Sequence, residues 1–331
     1  MLAEFETAIG STRVDLREVG LREGLQSDGT VLETREKLDI FRQLRAAGCR
    51  EMNVVSFVNP KKMPQMAEPE ALLRSLGESR TDCTLSALVP NERGLERAIA
   101  VAEEGLLDYM FLVFSESVAT LSANGMVADQ NTLLDKIELW SSRAAQSGLK
   151  TSVFVSAAYG CSIEGPVDSA RVVEHAALLH QMPGVAEVII SDSTGQADPL
   201  QVLRMLTRLA ERLPTDQRLG VHFHDTRGAG LANVLAALAS PFEHLAVDAA
   251  FGGWGGDYPF VPEAFGNVAT EDVVEMLVGM GIDTGIDVAA IMDVSKRYAT
   301  RTGRPIAAKL TDAPPIGWKH DRTVVRSGER S

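Results

Sequence analysis

The sequence predicts a (β/α)8 barrel with a short C-terminal extension. Within its 331 residues, eight apolar strand-like runs alternate with amphipathic helical patterns, and this order and length are typical of a TIM barrel. The alternative, a doubly wound open sheet, is disfavoured because no GxGxxG motif follows the first predicted strand. We assign residues 1–305 to the barrel and 306–331 to an extension, which we expect to be mobile because its tail lacks apolar periodicity.

The eight predicted strands are short runs rich in β-branched and aromatic residues. They cover Val14–Val19, Glu51–Phe57, Thr84–Val89, Tyr109–Phe114, Thr151–Ser156, Val188–Ser193, Leu219–His224 and Leu245–Ala250. Apolar residues at helical spacing predict helices between them, at Glu33–Ala47, Glu92–Glu104, Gln130–Ser147, Ser169–Gln181, Pro199–Leu213 and Gly230–Leu238.

Composition excludes several classes of protein. The net charge of −13 argues against nucleic acid or an anionic membrane as a partner. No run of about 18 apolar residues indicates a membrane span. The three cysteines are scattered, which indicates reduced thiols, and the first residues lack the pattern of a secretory signal. We therefore expect a cytoplasmic protein.

Two histidines separated by one residue are the strongest indication of chemistry. His222 and His224 end a predicted strand, where alternate side chains point the same way and Phe223 packs on the opposite face. Two neutral imidazoles side by side suit a divalent metal ion. The alternative is a pair of hydrogen-bonded core histidines.

Other polar residues follow the predicted strands, where catalytic groups of a barrel lie. Arg22 and Glu23 follow the first strand, Asp192 ends the sixth, and Asn267 precedes a helix for which we predict Thr270 as the N-cap. Each has a structural alternative: an ion pair for the first two residues, and turn formation for Asp192 and Asn267. The glycine-rich loop after the eighth strand suits either a phosphate cradle or a mobile lid.

Several segments resemble the 3-hydroxy-3-methylglutaryl-CoA lyases, which belong to the DRE-TIM metallolyase superfamily. Val19–Gln26 is similar to the EVGxRDGLQ signature of these enzymes, and Ser56–Met66 is similar to their SFVSPKxxPQM segment. Val155–Cys161, Val221–Thr226 and Gly266–Asp272 continue the likeness, which extends from about residue 13 to 305.

The resemblance implies a site and its cofactor. It implies a divalent cation, Mg²⁺ or Mn²⁺, a CoA thioester as the substrate, and a homodimer. In this reading Arg22 stabilises an enolate oxygen, Asp192 lies beside the metal and Gln26 supports the site. The implied metal ligands are Glu23, His222, His224 and Asn267.

The sequence also departs from the family pattern. Glu23 replaces an aspartate, and Asn53 replaces a glutamate, which removes one negative charge. The loop cysteine that acts as an acid in the lyases is missing, so this is a divergent member of the family. We expect Tyr258 or the adjacent Asp257 to replace that cysteine. Cys161 matches a different, non-catalytic cysteine.

The reaction that follows is a retro-aldol cleavage of a 3-hydroxyacyl-CoA. Asp192 or a ligand histidine takes the hydroxyl proton, and Arg22 holds the developing enolate oxygen. Tyr258 or Asp257 then protonates the enolate carbon; alternatively, Tyr258 only shapes the pocket and water is the acid. Lys61 and Lys62 are candidate contacts for the CoA phosphates, although surface lysines are commonly just solvated.

Two other functions stay open at this stage. One is the reverse chemistry, a Claisen-type synthase, or an aldolase for a hydroxy acid without CoA. The short C-terminal tail favours the lyase over the synthase. The other is a non-catalytic metal-binding or scaffold barrel, which the retained polar residues oppose.

Overall fold

Eight parallel strands close into a barrel in the computed structural model, which confirms the predicted fold. The structure describes residues 9–10, 12–126, 129–256, 266–313 and 315–316. Each strand pairs with the next one along the chain, and β8 closes the barrel by pairing with β1 over Arg13–Glu18. The strands are β1 Arg13–Glu18, β2 Glu51–Ser56, β3 Thr84–Leu88, β4 Tyr109–Ser115, β5 Lys150–Ser156, β6 Val185–Asp192, β7 Leu219–Phe223 and β8 His244–Ala249.

The observed strand ends lie within one residue of the predicted ones, except at the start of β6. This strand begins at Val185, three residues before the predicted Val188. Glu187 interrupts the apolar pattern there, although its side chain is buried inside the barrel. A buried charge has no signature in a hydrophobicity pattern, so the sequence places the start of β6 too late.

Helices pack around the outside of the barrel. They are α1 Thr34–Ala46, α2 Pro69–Leu76, α3 Glu92–Glu103, α4 Val118–Ala123, α5 Gln130–Gln146, α6 Ser169–His180, α7 Pro199–Leu209, α8 Gly230–Leu238, α9 Thr270–Gly279 and α10 Val288–Thr302. Asparagine or aspartate caps begin several of them; Asp198, for example, accepts a hydrogen bond from the backbone N–H of Gln201. Each helix turns an apolar stripe towards the sheet, as Val202, Leu206 and Leu209 of α7 do.

The prediction that Thr270 caps α9 is wrong. Ala269 occupies the N-cap position, and Thr270 is fully buried with its hydroxyl donating to Glu18 Oε2 at 2.6 Å. The same carboxylate accepts backbone N–H groups from Gly20 at 2.7 Å and from Phe251 at 3.1 Å. Burial raises the pKa of Glu18 to about 8. Glu18 therefore ties β1, the loop after β8 and α9 together beneath the mouth of the barrel.

The segment after residue 305 packs along the barrel as far as it is described. Ala307 donates its N–H to the carbonyl of Gly252 at 2.9 Å, and Lys309 donates its N–H to the carboxylate of Asp272 at 2.9 Å. A short 3₁₀ turn, Lys309–Thr311, follows. None of the helices within the described ranges is long and apolar enough to cross a membrane.

A π-helical turn, Gly20–Gly24, leaves β1, and it requires a glycine at its start. A Cβ atom at Gly20 would lie 2.5 Å from Cδ1 of Phe251 and 2.7 Å from Oε1 of Glu18, much closer than non-bonded atoms approach. Gly29, which follows the turn, has no atom within 4 Å of an added Cβ.

We predict that Gly20→Ala lowers the free energy of unfolding by about 1–3 kcal/mol, because a methyl group overpacks this junction. Gly29→Ala is the matched control and is expected to change it by less than about 0.5 kcal/mol. Urea denaturation of both variants measures the difference. Equal stabilities would show that the junction below the turn is loosely packed.

Candidate metal centre and cavity at the mouth of the barrel

The π-helical turn after β1 places Arg22 and Glu23 at the mouth of the barrel. The backbone N–H groups of both residues donate to the carbonyl of Val19, which bends the chain sharply as it leaves the strand. Such turns contain an extra residue and occur often at functional sites. The guanidinium Nη2 of Arg22 lies 2.8 Å from Glu23 Oε2, so the two side chains form an ion pair.

Strand β7 brings two imidazoles to the same carboxylate. Nε2 of His224 lies 3.1 Å from Glu23 Oε1, and Nε2 of His222 lies 3.4 Å from the same oxygen. The ring centroids of the two histidines are 5.0 Å apart. Phe223 points the other way and packs against Tyr159, as strand alternation predicts.

These contacts shift the pKa values of Glu23 and His222. Burial opposes the ionisation of Glu23, but Arg22 and His222 hold the pKa of its carboxyl well below the ordinary value. Burial also disfavours the charged form of His222, yet the charge of Glu23 and the hydrogen bond to Asp248 raise its pKa to about 9. Without a cation, His222 is therefore protonated at neutral pH.

The donor atoms fit a divalent cation. One ligand atom each from Glu23, His222 and His224 lies within 4.8 Å of the others. Ligands on opposite sides of one Mg²⁺ are about 4.2 Å apart, so little rearrangement is needed. Two polar atoms beside this group, Nδ1 of His224 and Oδ1 of Asn267, are buried without a hydrogen-bond partner among the described residues. Buried polar atoms are costly unless they find a partner, which a bound ion or its water would supply.

Asn267 reaches the site through backbone pairing with the end of β7. It forms an antiparallel bridge with His224, and Val268 donates its N–H to the carbonyl of Phe223 at 3.2 Å. The side-chain Nδ2 of Asn267 donates to the carbonyl of Trp254 at 2.9 Å. The amide is thereby oriented, and its Oδ1 is left for another partner.

Trp254 anchors the loop after β8 from below. Its ring is fully buried and packs edge-on against Phe251 and Tyr298, at centroid distances of 5.3 and 4.5 Å. The indole Nε1 donates to the carbonyl of Pro305 at 2.8 Å. The start of the glycine-rich loop is thus held rigidly by α10 and the segment after it.

A cavity of about 240 Å³ opens beside the histidines. Part of its wall is apolar and includes Leu88, Val113 and Phe154, whose ring packs edge-on against His222. A hydroxyl cluster forms another part, in which Ser193 Oγ lies 2.7 Å from Ser156 Oγ and 3.1 Å from Ser191 Oγ. Among the lining residues in the described ranges, the only basic side chains are those of Arg22, His222 and His224.

The resemblance also singles out Asn53 and Gln26, which we expected to contact the substrate, and both lie at this end of the barrel. Asn53 is buried at the end of β2, accepts a hydrogen bond from Nε of Arg22, and donates to Ser86 Oγ at 3.0 Å. Gln26 lines the cavity and accepts a hydrogen bond from Ser56 Oγ at 2.9 Å. Asn53 thus orients the guanidinium without neutralising it.

The other predicted site residues are not all at the cavity wall. Asp192 is buried, and its two carboxylate oxygens accept the backbone N–H groups of Gln196 and Ala197 at 2.9 and 3.0 Å. Burial raises its pKa, against those two hydrogen bonds. Lys61 and Lys62 are exposed on the loop after β2, beside Met63, which lines the cavity. Asp257 and Tyr258 lie outside the described residues.

Sequence reasoning missed Asp248, which contacts His222 from inside the barrel. Its Oδ2 lies 3.0 Å from Nδ1 of His222, and both side chains are buried. The signal that could have found it is the pairing of His222 with Asp248 across β7 and β8, and this requires the register of the strands. The hydroxyl of Ser115 in the cavity wall was missed as well.

Comparison with known proteins gives concordant results. The family model described as HMGL-like matches residues 13–297. The chain is 36% identical to the (R)-citramalyl-CoA lyase of Chloroflexus aurantiacus, over 92% of this chain and 95% of that protein.

Solved structures agree with these relatives. A hydroxymethylglutaryl-CoA lyase of Bacillus subtilis superposes with a TM-score of 0.83 at 31% identity, over 91% of this chain and 97% of that one. A lyase of the same name from Acinetobacter baumannii, in complex with coenzyme A and 3-methylmalate, superposes with a TM-score of 0.81 at 31% identity, over 93% and 96%.

We predict that cation binding releases about one proton at pH 7, because a cation must displace the proton of His222. Affinity for Mn²⁺ should fall as pH falls below 9, by up to about tenfold per unit. Calorimetry in buffers of different ionisation enthalpy measures the number of protons released.

His224→Ala should abolish binding of Mn²⁺, whereas His180→Ala, on α6, should not change it. Wild-type affinity in His224→Ala would contradict the assignment.

Proposed function

Because the chain belongs to the HMGL-like family and is a carbon–carbon lyase, we propose that it cleaves a 3-hydroxyacyl-CoA thioester with the help of a bound Mg²⁺ or Mn²⁺. The observation that carries this proposal is the meeting of Arg22, Glu23, His222 and His224 at the mouth of the barrel, next to a cavity. The products are an acyl-CoA and a carbonyl compound.

The cation would be held by Glu23, His222, His224 and Asn267. This set of two nitrogens and two oxygens suits Mn²⁺ and Mg²⁺, and it contains no thiolate that would favour softer metals. When bound, the cation supplies Lewis acidity that lowers the pKa of the substrate hydroxyl. Glu23 is longer than the aspartate of the resembling lyases, and its contacts with both Nε2 atoms support the view that a glutamate reaches the same position.

Arg22 is placed to stabilise the enolate. Its Nε and one Nη2 hydrogen are engaged by Asn53 and Glu23, and a guanidinium has five N–H donors in all. The side chain lines the cavity although it is only 6% exposed. A charge-assisted hydrogen bond in such a desolvated place strengthens as negative charge develops on the thioester oxygen.

The hydroxyl proton goes to a histidine rather than to Asp192. The carboxylate of Asp192 accepts two backbone N–H groups and is not among the described residues that line the cavity. His224 lines it, and its Nδ1 has no hydrogen-bond partner among the described residues, whereas Nε2 of His222 would hold the cation and its Nδ1 donates to Asp248. Loss of the proton, collapse of the alkoxide to a carbonyl, and cleavage of the carbon–carbon bond leave the acyl-CoA enolate.

The enolate carbon then takes a proton from Tyr258 or Asp257. Counted back from Asn267 without gaps, Tyr258 corresponds to the catalytic cysteine of the resembling lyases, and Asp257 is its neighbour in the chain. A phenol or a carboxylic acid is acidic enough to protonate a carbanion. The variants Tyr258→Phe and Asp257→Asn identify the acid. It is the residue whose replacement abolishes turnover while the cation stays bound. If both variants keep turnover, water is the donor.

The acyl group is small and carries a carboxylate. The apolar wall suits a methyl group, and the hydroxyls of Ser156, Ser191 and Ser193 suit carboxylate oxygens. Citramalyl-CoA and 3-hydroxy-3-methylglutaryl-CoA both have these groups. The neutral Asn53 beside Arg22 and the identity with the Chloroflexus lyase support citramalyl-CoA as the first compound to test.

The function is tested with purified protein, Mn²⁺ or Mg²⁺, and a panel of 3-hydroxyacyl-CoAs that includes both compounds. We expect acetyl-CoA to be released together with pyruvate or acetoacetate, and activity to disappear after chelation and return with the cation. Net formation of a 3-hydroxyacyl-CoA from acetyl-CoA and pyruvate or acetoacetate would instead indicate a synthase. A stoichiometric cation without turnover on the panel would contradict the proposed substrate class, and no bound cation would favour the scaffold.

We predict that Arg22→Met lowers kcat by about 10²–10³-fold, the usual effect of removing one donor to a developing oxyanion. Binding of Mn²⁺ should change much less. Arg35→Met, at an arginine whose side chain is 82% exposed, is the matched control and should leave kcat unchanged. Steady-state kinetics on the best substrate of the panel decides, and a drop in kcat below tenfold would remove Arg22 from this role.

A further inference from the structure

Arg17 lies inside the barrel, directly below the histidines, and is only 1% exposed. Its Nε donates to Glu51 at 2.7 Å, its Nη1 to Asp248 at 3.0 Å, and its Nη2 to Glu187 at 2.6 Å. The face of the guanidinium lies 4.9 Å from the ring centroid of Phe111. A buried arginine held on three sides by carboxylates and covered by a ring has little freedom to move.

Strand register joins this arginine to the candidate metal centre. Arg17 of β1 pairs with Glu51 of β2 on one side and with Asp248 of β8 on the other. Asp248 in turn pairs with His222 of β7. Four neighbouring strands therefore contribute one layer of contacts across the barrel, and Asp248 is the shared member, with Oδ1 towards Arg17 and Oδ2 towards His222.

We infer that Arg17 is a positioning residue for the metal centre, acting on His222 through Asp248. Arg17 holds the Asp248 carboxylate in the one orientation in which its second oxygen receives the Nδ1–H of His222. That hydrogen bond selects the tautomer of His222 whose Nε2 lone pair is available to a cation bound beside Glu23. This inference rests on the proposed metal centre.

The second arginine of the barrel interior provides an internal comparison. Arg218 contacts Glu51 and, at 3.1 Å, Glu187, which are two of the three carboxylates around Arg17. Its described contacts do not include Asp248. It is also more accessible, since its side chain is 20% exposed. A change at Arg218 therefore disturbs the same charge cluster without releasing the carboxylate that orients His222.

Arg17→Lys is the decisive variant because it keeps the positive charge that the buried carboxylates require. A single ammonium group cannot reproduce the planar fork that reaches three strands. We expect the Kd for Mn²⁺, measured by calorimetry, to rise by about 10–100-fold, the usual effect of losing an outer partner of a ligand histidine. Arg218→Lys, the matched control, should change the Kd less than about threefold. Circular dichroism and thermal unfolding verify that both variants fold. If Arg17→Lys does not fold, the double variant Arg17→Gln/Glu187→Gln replaces it, because that variant removes one charge of each sign from the cluster.

Two further measurements separate positioning from a general loss of structure. In Mg²⁺-loaded wild-type protein, the Nδ1–H of His222 should give a protected downfield proton signal in NMR spectra. This signal should weaken in Arg17→Lys and persist in Arg218→Lys. In addition, Asp248→Asn should weaken Mn²⁺ binding, and adding Arg17→Lys to it should cause little further loss, because the two residues act in series.

The outcomes distinguish this inference from the proposed function. Wild-type protein that binds no Mn²⁺ overturns both. If wild-type protein binds the cation and Arg17→Lys binds it as tightly as Arg218→Lys does, the proposed function stands and the positioning role is wrong. Fully additive losses in the double variant, or an unchanged His222 signal, contradict the path through Asp248.

Discussion

The carboxylate of Glu23 is the contact on which the site depends. One oxygen meets the guanidinium of Arg22, and the other meets Nε2 of both His222 and His224. These residues come from the turn after β1 and from β7, so the contact spans the mouth of the barrel. Because the carboxylate is only 16% exposed and His222 is buried beside it, the ionic states of Glu23 and His222 depend on one another. A divalent cation fits between the carboxylate and the imidazoles, since its positive charge can replace that of the proton on His222.

Two supports fix this contact from different directions. From below, Asp248 and Arg17 belong to a layer of charges inside the barrel, where β-strands allow little movement. From the side, the buried Trp254 holds the start of the glycine-rich loop and orients Asn267 through its carbonyl oxygen. The part of the site that would bind a cation is thus supported by regular structure. A rigid centre suits a lyase, because cleavage requires the groups around the reacting atoms to keep a fixed geometry.

The barrel interior has an unusual balance of charge for a core. Arg17 contacts Glu51, Glu187 and Asp248, and Arg218 contacts the first two of these carboxylates. These charges are largely buried. Such a cluster contributes little net stability compared with apolar packing, but removing one member leaves the others uncompensated. The cluster instead orients its members, because hydrogen bonds between neighbouring strands determine the direction in which each carboxylate oxygen points.

The sequence alone determined the barrel and most of its strand ends, because apolar periodicity and strand length are local properties that survive in a linear reading. It also identified His222 and His224 as neighbours, since alternate side chains of a strand point the same way, whereas Glu23 joined this group through the resemblance to the lyases. What only the tertiary structure decided are contacts between distant strands. Three such features are the early start of β6, which carries the buried Glu187, the burial of Thr270 against Glu18, and the pairing of Asp248 with His222. Each depends on strand register and on a charge compensated from elsewhere in the chain. No hydrophobicity pattern encodes a buried charge, because its partner is specified only when the barrel closes.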